Sequence, residues 1–218
     1  MKKLLIVQPH SDDALFSCSH FLFSSKYEVQ ILTVENDSKR ILEDEKLYNF
    51  LNISFHHLNL NFHDESYYEF HKNYKEVTHE ATYEHLNKYF GKEKLNEIEL
   101  GVVKWINKFL KNNKGYSVVA PWGIGHPFHF FIKDILEKHY SDLLYYREFP
   151  HSYKRRSQVQ VEKQKQKYIL KCSVPVEEFH EIKWKLASKF YRSQSGLQFY
   201  EQGYIKKKLP EEIYSINN

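Results

Sequence analysis

A chain of 218 residues with 17 Tyr, 16 Phe and 3 Trp but only 7 Gly and 6 Pro is long enough for one packed core and too aromatic for a linker-rich or disordered protein. Its formal net charge of +4 is modest and, outside a polar, basic stretch from Lys154 to Lys171, evenly spread, which argues against a nucleic-acid partner. Two cysteines, Cys18 and Cys172, are too few for a disulfide framework or a cysteine-rich zinc site, and the apolar start is interrupted at Gln8 and Pro9, too early for an export signal or a membrane span. The expectation is a single cytoplasmic domain over 1–218 with no integral membrane segment.

Leu4 to Val7 reads as a parallel strand buried on both faces and ended by Pro9. Ser11 or Asp12 is placed to cap a helix running from Ala14 to Phe23. A second strand is expected from Glu28 to Val34, a helix from Lys39 to Leu51 and a third strand from Ile53 to Leu60, a βαβαβ opening. Between residues 64 and 113, Leu95, Ile98, Val102, Ile106 and Phe109 recur at helical spacing, so two or more helices are predicted. Tyr116 to Ala120 forms a fourth buried strand, Pro121 to Gly125 a turn-rich loop, Phe128 to His139 a helix and Leu143 to Phe149 a fifth strand. Beyond Pro150 come a polar segment read as a solvated flap or hairpin, a strand from Tyr168 to Val174 and a helix from Val176 to Ser193. The pattern predicts an α/β fold: a Rossmann-like, doubly wound, mostly parallel sheet with helices on both faces over 1–150, and a C-terminal strand-helix appendage over 151–218.

Open α/β sheets bind ligands beyond the carboxyl ends of their strands, at the point where strand order reverses. With the order 3-2-1-4-5, the first and fourth strands meet there, and the loops after them read Pro9-His10-Ser11-Asp12-Asp13 and Trp122-Gly123-Ile124-Gly125-His126-Pro127-Phe128-His129. His10 and Asp13 straddle a strand-to-helix turn where side chains three apart converge, and His129 can reach them from the first turn of the opposite helix. Three nitrogen and oxygen ligands with a free fourth position suit a catalytic zinc ion. Asp12 is then placed to take a proton from the attacking water, and His126 to donate to a developing oxyanion or to protonate a leaving amine. Trp122 could stack on a bound ring or pack beneath the loop. The string around His79 and His85 resembles a helical zinc motif, but a spacing of six turns the second residue about 240° from the first, so the two cannot share an ion. Neither a Gly-x-Ser-x-Gly elbow nor a phosphate-binding Gly-x-x-x-x-Gly-Lys loop occurs, and Phe128 stands where a dinucleotide fingerprint requires its third glycine.

On His10-x-Asp12-Asp13 after a hydrophobic strand and His126-x-x-His129 after Gly-Ile-Gly, the chain resembles the PIG-L / LmbE-like deacetylases, which remove acetyl groups from N-acetylglucosamine-type amino sugars. The resemblance extends to Arg40-Ile-Leu-Glu43, to Asp64 after the third strand, to Leu144 through Pro150, and to Tyr191-Arg192-Ser193-Gln194. It implies Zn2+ on His10, Asp13 and His129, Asp12 as base, His126 as the electrophilic or acid histidine, Arg40 and Asp64 as substrate contacts, and an amino sugar or glycoconjugate as substrate. The chain departs from the family where Ala14 replaces a Glu and Phe128 an Asp, and the second change removes a carboxylate partner from His126. Two other chemistries fit the same residues: a non-haem Fe(II) oxygenase using two His and one carboxylate, and a carbohydrate-binding protein without catalysis.

Overall fold

The computed structural model describes residues 1–35, 37–58, 60, 64, 66–174, 179–193 and 209–216. In chain order the elements are β1 (Lys2–Gln8), α1 (Asp13–Ser17), α2 (Ser19–Phe23), β2 (Tyr27–Thr33), α3 (Ser38–Phe50), β3 (Ser54–His57), α4 (Ser66–Asn73), α5 (His79–Phe90), α6 (Lys92–Asn112), β4 (Tyr116–Pro121), α7 (Pro127–His139), β5 (Leu144–Tyr146), α8 (Gln158–Lys165), β6 (Tyr168–Val174), α9 (His180–Phe190) and β7 (Glu211–Ile216). They build a seven-stranded sheet in the order β3-β2-β1-β4-β5-β7-β6. The first five strands pair in parallel, and β7 lies antiparallel between β5 and β6.

Because side chains alternate along a strand, β1 divides its apolar run between two cores. Leu5 and Val7 join Leu32, Val118 and Ala120 on one face, under Ile98, Val102 and Ile106 of α6 and Phe131, Ile132 and Ile135 of α7. Leu4 and Ile6 join Ile31, Val119 and Tyr146 on the other, under Leu15, Leu47, Tyr48 and Trp184. All four β1 residues are 3% exposed or less, which is why the strand reads as a continuous apolar run rather than an alternating one. Among the described residues no helix is long and apolar enough to cross a membrane. Cys18 and Cys172 are both free thiols.

Several expectations are corrected. The helix expected over 14–23 is two, broken at Cys18, because Ser19 and His20 turn to hydrogen-bond Glu211 of β7. The fifth strand ends at Tyr146, three residues early, where the chain leaves the ladder to carry Glu148 under the glycine loop. The polar segment after Pro150 is no solvated flap: it forms short 3-10 turns at His151–Tyr153 and Arg155–Ser157 and then α8, which fully buries Val161. The expected start of the last helix, Val176, lies outside the described residues. The strand β7 was not anticipated, and through it the C-terminal strands extend the same sheet as β1 to β5.

Candidate metal centre

Strands β1 and β4 run side by side in register, Ile6 opposite Val119, so the loops leaving their carboxyl ends emerge together. In the first loop the acceptor for the start of α1 comes from an unexpected place. The Gln8 side-chain oxygen takes the Ala14 amide at 2.9 Å, while Asp12, at the cap position, makes no capping bond and sits in the left-handed region at φ 87°. The Asp12 residue is only 8% exposed, and its carboxylate has no hydrogen-bond partner among the described residues. The capping role expected of Ser11 or Asp12 thus belongs to Gln8, and Asp12 is left with a nearly enclosed, uncommitted carboxylate.

Three donor atoms converge beside it. His10 Nδ1 lies 2.9 Å from His129 Nε2, and Asp13 Oδ2 lies 3.3 Å from His129 Nε2 and 3.6 Å from His10 Nδ1. Two ligands on a tetrahedral ion at about 2.05 Å are separated by about 3.3 Å, so the triangle is the size of one face of a zinc coordination shell. The tautomer of His10 is fixed from behind: Nε2 faces Asp64 Oδ2 at 3.1 Å, so that nitrogen carries the proton and Nδ1 presents its lone pair. Asp13 Oδ2 is itself oriented by the His10 amide at 2.9 Å. His10, His126 and His129 also form a buried group whose ligand atoms all lie within 4.8 Å of one another and could hold a metal ion.

The electrostatics of the cage favour a cation. Burial opposes charge on His10, yet Glu35, Asp13 and Asp64 around it push its pKa up to about 10. The adjacent carboxylates are driven apart. Burial and the neighbouring Asp13 charge push Asp12 well above the carboxylate range, against the pull of Arg40 and His10. Asp13, although burial works the other way, is held below that range by His129 and His10.

The second loop supplies the opposite wall. His126 caps α7 by accepting the Phe128 amide on Nδ1 at 3.2 Å, which leaves Nε2 as the protonated, donating nitrogen of the neutral ring. Its ring stacks on His129 at 4.6 Å and meets His10 edge-on at 4.7 Å. Burial, then the charges of His129 and His10, hold its pKa well below the ordinary histidine value. The capping bond fixes the orientation of the ring. Behind His129, Nδ1 has no hydrogen-bond partner among the described residues and lies 3.7 Å from Glu148 Oε1, which accepts the Gly123 amide and, at 3.2 Å, that of Ile124.

The structure therefore brings His10, Asp12, Asp13, His126 and His129 together and distributes the remaining candidates differently. Asp64 does not face a substrate space: its side chain is fully buried, holding His10 and the Ser66 amide. Trp122 is fully buried and stacks on Tyr214 at 4.2 Å, which makes it a packing residue rather than a sugar platform. Arg40 donates to Glu35 at 2.8 Å, and its side chain is 23% exposed, so it keeps one edge toward solvent beside Asp12. His79 and His85 are separate, the first beside Asp134 at the surface, the second on the Ser66 carbonyl. Glu35, Glu148 and His151 escape the sequence reading, although Glu148 falls within the segment Leu144 to Pro150 on which the resemblance rests. Two other such segments meet: Ser193 bonds Glu43 through its amide at 2.7 Å and its hydroxyl at 2.5 Å, and Tyr191 bonds Asp44 at 2.5 Å. Gln194 lies outside the described residues.

No family model matches this chain, and no curated protein or solved structure matches it.

Proposed function

We propose that the chain is a zinc-dependent N-deacetylase of the PIG-L / LmbE type, hydrolysing the amide of an N-acyl amino sugar or glycoconjugate. The observation that carries the reading is the triangle of His10 Nδ1, Asp13 Oδ2 and His129 Nε2, with the uncommitted Asp12 carboxylate next to it. The strand order and the two helix-covered faces support a Rossmann-like, doubly wound core carrying this site at its switch point.

His10, Asp13 and His129 would hold the metal, because they offer two neutral imidazole nitrogens and one carboxylate oxygen at tetrahedral spacing. A zinc ion there supplies Lewis acidity, drawing electron density from an amide carbonyl and making the attacking water more acidic. Asp12 takes the proton from that water as its oxygen adds to the carbonyl carbon. The Nε2–H of His126 donates to the oxygen on which negative charge develops. Asp12 then delivers its proton to the amide nitrogen as the carbon–nitrogen bond breaks, so one water is consumed and a carboxylic acid and an amine are released. Asp64 and Glu148 touch no substrate in this scheme and position His10 and His129.

The decisive experiment is metal analysis of the purified protein alongside amine release from a panel of N-acetyl amino sugars. One divalent ion per chain and release of acetate from at least one member are expected. A metal-loaded protein that releases no amine would leave a carbohydrate-binding role, and activity requiring O₂ with bound iron would replace the hydrolase by an oxygenase.

A further inference from the structure

Behind the metal turn, between β1 and α3, the interior carries a chain of polar side chains that the proposed reaction does not use. Gln8, Thr33, Asp44, Tyr48 and Tyr191 are all 1% exposed or less. Gln8 ends β1 opposite Thr33 of β2, and Asp44 and Tyr48, four apart on α3, share one face of that helix. Both ends of the Gln8 amide are committed. Its Nε2 donates to Thr33 Oγ1 at 2.7 Å and to Asp44 Oδ2 at 3.0 Å, while its Oε1 accepts from the Tyr48 hydroxyl at 3.1 Å and from the Ala14 amide at 2.9 Å. Thr33 donates to the same Asp44 oxygen at 3.0 Å, and His57 Nε2 lies 3.4 Å from it. The Tyr191 hydroxyl donates to the other Asp44 oxygen at 2.5 Å.

Two of the groups around that amide have a fixed polarity. A backbone N–H only donates and an ionised carboxylate only accepts, whereas the hydroxyls of Thr33 and Tyr48 do either. Asp44 therefore decides that the nitrogen end of Gln8 turns toward α3, which leaves the oxygen end for Ala14. The turn leans on that bond. Its own closure is long, with the Asp13 amide 3.4 Å from the His10 carbonyl, and Asp12 within it sits in the left-handed region at φ 87°. Ala14 directly follows the ligand Asp13, so the position of its amide sets where that carboxylate starts.

We infer that Asp44 is a positioning residue of the metal centre: by orienting the Gln8 amide it pins the Ala14 amide, and with it the turn that carries the base Asp12 and the ligand Asp13. The inference rests on the deacetylase reading for its effect on turnover and on the metal triangle alone for its effect on affinity. A buried polar chain of this kind, satisfied at both ends, selects one geometry where an apolar plug would accept several.

The test uses the full chain at pH 8, where Asp44, pushed up to about 7 by burial, is ionised. Three quantities are read: zinc affinity by competition with a chromogenic chelator, hydrogen exchange of the Ala14 amide in the metal-free protein by NMR, and kcat and KM for a turned-over N-acetyl amino sugar. Asp44→Ala removes the acceptor that orients Gln8. It should speed Ala14 exchange by about tenfold or more and lower both zinc affinity and kcat by about tenfold, with KM held within about twofold. Gln8→Met, which keeps the length of the side chain and loses its acceptor, should do the same and carries the comparison if Asp44→Ala does not fold. Asp44→Asn returns one oxygen to Gln8 Nε2 and should restore all three quantities. Tyr191→Phe removes a bond to the far Asp44 oxygen, so it should lower the melting temperature and leave exchange, affinity and kcat in place. Unchanged zinc affinity and Ala14 exchange in Asp44→Ala, or losses in Tyr191→Phe as large as those in Asp44→Ala, would overturn the proposal, the second because general loosening would then account for them. If no amino sugar is turned over, the deacetylase reading fails by itself, while zinc affinity and Ala14 exchange still decide the role of Asp44.

Discussion

Asp12 combines three features that rarely occur in one residue without a use. It is a non-glycine residue at φ 87°, it is nearly enclosed, and its carboxylate has no hydrogen-bond partner among the described residues. The left-handed conformation costs on the order of 1 kcal/mol. Asn tolerates the left-handed region as Asp does, so Asp12→Asn isolates the chemistry from the strain. That variant should retain its metal and lose about 10²- to 10⁴-fold in kcat; full activity would remove Asp12 from the base role. By contrast His129→Ala should fail to retain metal on gel filtration. Asp64→Asn should lower metal affinity by about 10- to 100-fold, since the amide can no longer hold a proton on His10 Nε2 with the same strength; competition with a chromogenic chelator measures it. His10, Asp12 and Asp13 were legible in the sequence because one strand end and one turn fix all three. Asp64 and Glu148 were recognisable only as acidic residues, because their work is done on rings brought to them from distant segments.

At the scale of elements, the glycine loop between β4 and α7 is where the backbone geometry is most demanding. Gly125 has φ 74°, and the space for its Cβ is already filled by Ser157 and the His151 carbonyl. Gly125→Ala therefore combines the left-handed penalty with a clash against backbone, and a loss of about 2–4 kcal/mol is expected from the two together. Because His126 begins the helix immediately after, the same variant should also weaken metal retention, read as a lower melting temperature and lower bound zinc in one sample. Strands β1 and β4 were readable because each carries a run of apolar residues buried from both sides, and β2 by Val29, Ile31 and Leu32. Neither β7 nor α8 offers such a run. The sequence Glu-Glu-Ile-Tyr-Ser-Ile of β7 becomes a strand only because β5 and β6 leave a slot between them, and α8 buries Val161 alone. The break between α1 and α2 was hidden for the same reason, its cause being Glu211, almost two hundred residues away.

For the whole molecule, that glutamate is the point at which the last strand is tied to the first helices. Glu211 accepts from Lys183 Nζ at 2.7 Å, His20 Nδ1 at 2.7 Å and the His20 amide at 3.0 Å, with Lys183 also donating to the Phe16 carbonyl at 3.0 Å. Burial would raise its pKa, but Lys183 and His20 outweigh it and hold the carboxyl down to about 2, against 4.5 unperturbed. A carboxylate whose pKa is depressed on folding stabilises the fold fully above its unfolded value and loses that contribution as pH falls through the folded one. The window is therefore from about pH 4.5 down to about pH 2, and a shift of this size corresponds to about 3 kcal/mol. Glu211→Gln should lower stability at neutral pH by about 3–5 kcal/mol, because Lys183 keeps a buried charge without its counter-ion, and it should flatten the acid limb of the stability curve. Urea midpoints from pH 6 to pH 2, taken with the metal chelated in both proteins so that protonation of the metal ligands cancels in the difference, measure both effects. Parallel acid limbs for parent and variant would mean that β7 is held by its ladder and its packing of Ile213 and Tyr214 alone, with the buried charges contributing nothing to the closure of the sheet.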